Sequence, residues 1–275
     1  MIYVQLTNGF GNNLFQYNAA RLLAERHKQE VIAIPPSDGY YGIEEFKKIG
    51  IHLQNVQIPD CERVNDTNFA SFFNDRYKKS NFFVSGYFEN YKYFKNNISL
   101  IKTWYPSVNE RNTEDLIIHL RAGDRLFYAN EFDSKPQASS FISAIEQFNF
   151  KELYIVTDMP NWKKITADEL QNMNFHVNVP SNKRVSIEQS VDYFNSIVEG
   201  LSQYSPIHSK NSVADDFSLI RSFDNILFQH GTLAWWASVL SEAKKVGVYG
   251  PWRPWKGASN KNLSNINIEG WFKWN

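Results

Sequence analysis

The chain has 275 residues, long enough for one or two domains whose core needs neither a disulfide nor a metal to hold it. Lysine plus arginine and aspartate plus glutamate each number 29, so the formal net charge is zero. That balance argues against nucleic acid as the main partner and leaves room for a local cationic pocket. The one cysteine, Cys61, excludes an internal disulfide and a cysteine zinc cluster, and it lies in a polar stretch with no nucleophile signature.

Ile2-Tyr3-Val4-Gln5-Leu6 predicts a short strand and lacks the basic and long apolar regions of a secretory signal. No stretch approaches the roughly 20 apolar residues of a spanning helix. The expectation is therefore a cytoplasmic protein without a transmembrane segment, with contact at a membrane surface left open. Residues 7–13 read as a polar, glycine-containing turn, and Leu14, Phe15, Tyr17, Ala19, Ala20, Leu22, Leu23 and Ala24 then fall on a helical stripe. A strand over 29–34 ends at Pro35-Pro36, so the chain opens as strand, helix, strand and favours a parallel sheet.

Residues 37–80 are polar and aromatic with weak periodicity and predict no element. A strand is expected over 82–86, a helix closing near Leu100, Ile101 and Trp104 before Pro106, and a linker over 106–113. Beyond it the pattern predicts strands over 116–121, 152–157, 175–179, 225–228 and 244–249, the last as the final core strand, with helices over 139–148, 214–222 and 233–242. Alternation in both halves predicts an α/β fold of two Rossmann-like lobes facing a cleft, residues 1–108 and 109–275.

Four stretches carry chemistry. In His119-Leu120-Arg121-Ala122-Gly123-Asp124 an apolar strand ends in charge, where open α/β sheets bind ligands. Arg121 offers a planar fork for phosphate, and Gly123 permits a tight turn; an Arg121–Asp124 salt bridge is the plainer reading. Gly9, Gly11 and Asn12 lie between strand and helix, either as an anion-binding helix start or as a simple turn. Asp216 and Ser218 precede the strand at 225–228, after which Gln229-His230-Gly231-Thr232 leads into Trp235-Trp236. Gly231 and Thr232 present N–H and hydroxyl donors, or Thr232 is only an N-cap and the tryptophans are core. Asp158, directly after a strand, faces a cleft or caps a helix. Asp-x-Asp, a metal-binding pattern, is absent from the sequence.

In this order the stretches resemble the alpha-1,2-fucosyltransferase family, and more distantly the alpha-1,6- and protein O-fucosyltransferases. Asn8-Gly9-Phe10-Gly11-Asn12-Asn13-Leu14-Phe15-Gln16-Tyr17 is similar to the family's Gly-Gly-x-Gly-Asn-Gln-Met-Phe-Gln-Tyr. Gly86-Tyr87-Phe88-Glu89 resembles its Gly-Tyr-Phe-Gln, and His119–Asp124 its His-x-Arg-Arg-Gly-Asp. Thr157-Asp158-Met159 to Trp162, Asp216 to Ser222 and Gln229 to Trp236 resemble the remaining motifs. The departures are Asn8 for glycine, Asn13 for glutamine, Ala122 for the second arginine, and Gln229-His230-Gly231 with Leu233-Ala234 for the usual Asn-Ser and Phe-Ser.

The resemblance implies a GT-B glycosyltransferase that transfers L-fucose from GDP-fucose to a glycan with inversion and without a metal or other cofactor. It implies that Arg121 clamps the donor phosphates, His119 lines the pocket, Asp216 accepts from guanine, Thr232 and its neighbours cradle phosphate, and the Gly9–Asn13 loop closes on donor or acceptor. The residues leave the general base open among Asp124, Asp158 and Glu89. They also leave two alternatives: the same scaffold with another nucleotide sugar, or a non-catalytic carbohydrate-binding protein, which the 16% aromatic content would suit.

Overall fold

The computed structural model describes residues 1–7, 9–36, 43–74, 80–129, 135–173, 175, 177, 180–250 and 268–275. Strands β1 (Ile2–Gln5), β2 (Val31–Ile34), β3 (Glu62–Val64) and β4 (Phe82–Val84) form one sheet in the order β2-β1-β4-β3. Strands β5 (Asn112–Leu120), β6 (Leu153–Thr157), β7 (Ile207–Ser209), β8 (Phe223–Phe228), β9 (Lys245–Tyr249) and β10 (Phe272–Trp274) form a second, ordered β10-β9-β8-β5-β6-β7. Every pairing in both sheets is parallel, which meets the α/β expectation. At the centre of the second sheet Leu116, Ile117, Ile118, His119 and Leu120 are all buried, as a strand covered on both faces requires.

The helices are α1 (Phe10–His27), α2 (Ile43–Lys48), α3 (Phe69–Asn74), α4 (Tyr91–Phe94) and α5 (Ile98–Lys102) in the first half. The second half has α6 (Ala138–Ile145), α7 (Ala167–Asn172), α8 (Ile187–Leu201), α9 (Val213–Ser222) and α10 (Thr232–Leu240). Among the described residues no helix is long and apolar enough to cross a membrane. The connection from β5 runs to β6 on one side, whereas β8 continues to β9 on the other, so the β5/β8 border is a topological switch point. The β1/β4 border is its counterpart in the first sheet.

The sheets are joined by one continuous apolar core. It runs from Val4 and Leu14 of the first half to Phe217, Phe228, Trp235 and Trp236 of the second. Phe15 stacks on Trp235 at 4.9 Å between ring centroids and meets the edge of Trp236 at 4.9 Å, while Phe10 stacks on Phe46 at 5.0 Å. The tryptophan pair is thus core. A second cluster, with Ile118, Leu120, Phe141 and Phe194, packs α6 and α8 on the other face of the second sheet.

Several elements depart from expectation. Residues 10–13 are not a turn but the first turn of α1, because Gly9 in extended geometry already serves as its N-cap. The stretch 37–80 contains α2, β3 and α3, each of at most six residues and too short to show a period. Helices α7 and α8, marked by the capping boxes Thr166–Glu169 and Ser186–Gln189, were not expected. Nor were β7 and β10; β9 is not the final strand, since β10 pairs outside it. The strand expected over 175–179 falls largely outside the described residues.

α1 and α10 leave the carboxyl ends of β1 and β8, and their first turns meet. A Cβ built on Gly11 would lie 2.5 Å from Thr232 Oγ1 and closer still to the backbone of Thr232 and Leu233. Beside it the Thr232 hydroxyl donates to Asn12 Oδ1 at 2.7 Å. Replacing a helical glycine by alanine ordinarily stabilises by about 1 kcal/mol. Gly11→Ala is instead expected to destabilise by about 1–3 kcal/mol through overpacking, read as a lower urea midpoint. A raised midpoint would mean that the two helix starts are not in contact.

Candidate functional site

The site is built where these two helix starts face the carboxyl end of β5. Gly231 has φ +125°, backbone open in practice only to glycine, and it turns the chain from β8 into α10. A side chain there would also lie 3.4 Å from Cε1 of His119. Neither α1 nor α10 has a side-chain N-cap or an acidic residue in its first turn, so both present backbone N–H groups and a positive dipole end to the junction. By contrast α7, α8 and α9 are capped by Thr166, Ser186 and Ser212. Gly231, not Thr232, is the N-cap residue, and the Thr232 hydroxyl is spent on Asn12.

Arg121 leaves the end of β5 between two carboxylates. Its Nη2 donates to Asp124 Oδ1 at 2.6 Å, and its Nη1 pairs with Asp158 Oδ2. Asp158, at the end of β6, also accepts from the Ala122 backbone N–H at 2.8 Å. Gly123, at φ +33°, makes room for this carboxylate: a Cβ there would be 2.8 Å from Asp158 Cγ. The plainer salt-bridge reading of Arg121 and Asp124 therefore holds, and the pair is also a fixed mount for the guanidinium. Asp124 Oδ2 lies 3.9 Å from Arg125 Nε, and Arg125 stacks over Tyr128 at 4.8 Å.

Two histidines complete this wall. Burial, with Arg121 adding repulsion, pushes His119 down to about 3, so its ring is neutral at ordinary pH. Burial and the cations Arg125, Arg121 and Lys135 push His230 well below the usual imidazole range. His119 Nδ1, His230 Nε2, Gln229 Oε1 and both amide atoms of Asn13 are buried without a hydrogen-bond partner among the described residues. Such orphan atoms are rare in native interiors.

Glu89 enters from the first half. The preceding residue, Phe88, holds φ +55° although it is bulky and fully buried, a strained geometry that its surroundings must impose. Asp66 imposes it, accepting from the backbone N–H of Tyr87 at 3.0 Å and of Phe88 at 2.7 Å. Gln16 braces the same corner, its Nε2 donating to Thr7 Oγ1 at 2.8 Å and to the Gly86 carbonyl at 2.9 Å. Burial, reinforced by the charge of Asp66 and opposed by Arg125, raises the Glu89 carboxyl to about 7. Arg125 thus links Glu89 electrostatically to the Asp124–Arg121 pair across the two halves.

Asp216 and Ser218 lie farther along, on α9. Asp216, in the first turn, keeps Oδ1 buried without a partner; burial raises it to about 7, against the pull of Asn211 and with the help of Asp215. Ser218 is exposed and donates back to the Ala214 carbonyl at 3.0 Å. Because α9 runs antiparallel to the strand it feeds, its start lies on the cleft side of the second sheet. The structure brings Gly11, Asn12, His119, Arg121, Asp124, Asp158, Gly231 and Thr232 of the expected site residues to the ends of β5, β6 and β8. Sequence reasoning missed Arg125, four residues past Arg121 and outside any motif, as well as Lys135, and it missed Asp66, whose role depends on a contact across 21 residues.

No protein-family model matches the chain, and no curated protein matches it. Among solved structures it is similar to the fucosyltransferase NodZ from Bradyrhizobium, with a TM-score of 0.42, and to NodZ alpha-1,6-fucosyltransferase soaked with GDP-fucose, with 0.39. Both are 12% identical over 87% of this chain and 92% of theirs. So faint a likeness assigns the chain neither a family nor an activity.

A carboxyl raised to about 7 in the fold and near 4.5 in the unfolded chain binds its proton more tightly when folded. Stability from Glu89 is therefore full below 4.5 and is lost as pH rises to about 7. Glu89→Gln, which stays neutral, should match the wild type at pH near 4 and exceed it by about 1–3 kcal/mol at pH near 8, in urea unfolding at both values. Equal stability at both pH values would refute the raised Glu89 carboxyl.

Proposed function

We propose that the chain is an inverting, metal-independent glycosyltransferase of the GT-B kind that moves L-fucose from GDP-fucose to a glycan hydroxyl, in alpha-1,2 linkage to galactose. Residues 1–108 form the acceptor side and residues 109–275 the donor side. What carries the reading is the convergence at one switch point of a fixed guanidinium, Arg121, with two uncapped helix starts and two neutral histidines. That is the equipment for a diphosphate whose charge grows during reaction. The motif order that resembles the fucosyltransferases supplies the donor.

In the transfer, the acceptor oxygen forms a bond to C1 of fucose while the bond from C1 to the phosphate oxygen breaks, and its electron pair leaves with GDP. Arg121 stabilises the charge that develops on the leaving diphosphate, and the first-turn N–H groups of α10 at Gly231 and Thr232, with those of α1 at Gly11 and Asn12, share it. Asp124 and Asp158 hold Arg121 in place, so the guanidinium needs little reorganisation at the moment of reaction. His119, being neutral, orients by hydrogen bonding rather than by charge. Asp216 accepts from guanine, whereas Ser218, two residues on, lies on the opposite, exposed face of α9.

Of the three candidate bases, Asp124 and Asp158 are engaged with arginine, whereas Glu89 sits near neutrality and receives the acceptor proton. It stands where the resembling family has glutamine. A carbohydrate-binding protein would have no use for a guanidinium mounted on two carboxylates, which favours the transferase.

The first test is thermal unfolding with GDP, UDP, CMP and no ligand, each with and without EDTA. A GDP-selective rise unchanged by EDTA is expected, about 2.7 kcal/mol of stabilisation at 100 times the Kd. A rise with UDP or CMP instead would replace the donor, and no rise with any nucleotide would sink the reading. In turnover assays Arg121→Ala should lower kcat by about two to three orders of magnitude. Glu89→Gln should lower it by about two to four orders and abolish a rise of kcat/KM with pH centred near 7. Wild-type-like turnover in either variant removes that residue from the mechanism.

A further inference from the structure

At the end of the second sheet away from the cleft, a cavity of about 410 Å³ opens between the last residues of α9 and α10 and the connection joining the two sheets. Its walls include Lys102, Tyr105, Arg111, Arg221 and Glu242. Arg221, in the last turn of α9, is only 6% exposed. Its guanidinium lies over the rings of Phe217, at 5.4 Å, and Tyr105, at 6.0 Å. Its Nε is buried without a hydrogen-bond partner, and the side chain forms no ion pair among the described residues.

The acceptors nearby are already used by other cations. Lys102 Nζ donates to Glu242 Oε1 and to the Ser241 carbonyl, each at 2.7 Å. Arg111 pairs with Asp224 and donates to the Glu242 carbonyl at 2.7 Å. The negative end of α9 favours a cation in its last turn, which keeps Arg221 charged but gives its N–H donors no acceptor. Two ring faces satisfy part of the charge and none of the five donors. A buried guanidinium in this condition is costly unless an oxyanion completes it.

We propose that this cavity binds a phosphate-bearing anion, gripped by the Arg221 fork, with Lys102 and Arg111 at the same wall. Lys102 is balanced by Glu242 and Arg111 by Asp224, so Arg221 carries the unbalanced positive charge of this wall. The planar fork matches phosphate oxygens two at a time. The volume falls within the range of small-molecule sites, so a phosphate ester fits as well as the free ion. The site stands apart from Arg121 and does not depend on what the cleft does.

The test is the thermal midpoint of the full chain in chloride against inorganic phosphate, or against glycerol 2-phosphate, at matched ionic strength. A rise of about 2–3 °C at ten times the Kd is expected. It should persist in Arg121→Ala, which alters only the cleft, and vanish in Arg221→Met. A rise that survives Arg221→Met, one that vanishes in Arg121→Ala, or none in the wild type would overturn the proposal. If Arg221→Met does not fold, Lys102→Gln at the partly exposed wall must weaken phosphate binding severalfold, and unchanged affinity would overturn it equally. Tighter binding of glycerol 2-phosphate than of phosphate identifies an ester as the ligand; the reverse order identifies the free ion.

Discussion

Two helices that spring from different sheets begin in contact, and the rest of the cleft depends on Gly11 having no side chain there. The bare backbone of α1 lets the start of α10 approach, and Thr232 then spends its hydroxyl on Asn12. With both helices fixed this way, Gly231 is brought against His119, and the ends of β5 and β8 face the first half of the chain. A methyl group at this point acts on every distance in the cleft at once.

The charges around that contact form an alternating chain. Glu89 and Arg125, then Asp124, Arg121 and Asp158, run from the first half to the end of β6. Each cation has an acid beside it, so the positive ends of two helices and several basic side chains coexist without forcing the site open. Both histidines stay neutral because burial and these same cations make a further positive charge unfavourable. The strained Phe88 is the other cost of the arrangement, and the bonds from Asp66 to two successive N–H groups offset it.

The sequence makes the second half more legible than the first. Leu116–Leu120 is an unbroken apolar run ending in charge, so both the central strand and the position of Arg121 could be read directly. The first βαβ unit was equally plain, but its turn hid the opening of α1, because Gly-Phe-Gly-Asn lacks the usual capping residue and reads as a loop. Residues 37–80 were opaque because their elements are short and draw stability from long-range packing, such as Phe46 against Phe10 and Phe69 against Phe88. Asp66 and Arg125 were invisible for a similar reason: one acts across a turn made elsewhere in the chain, and the other acts through Glu89, in the loop after β4.

The aromatic core that unites the sheets also sets the order in which the chain can become stable during synthesis. Phe15 and Phe94 find their partners in Trp235 and Trp236, which the ribosome adds only near the end. The first sheet can form early, yet its helix α1 presents a bare apolar face throughout translation of the second half. Apolar surface exposed in such a state is prone to aggregate. Severing the protein between the sheets would open the shared core on both pieces, while the cluster under α6 and α8 would stay with the second half.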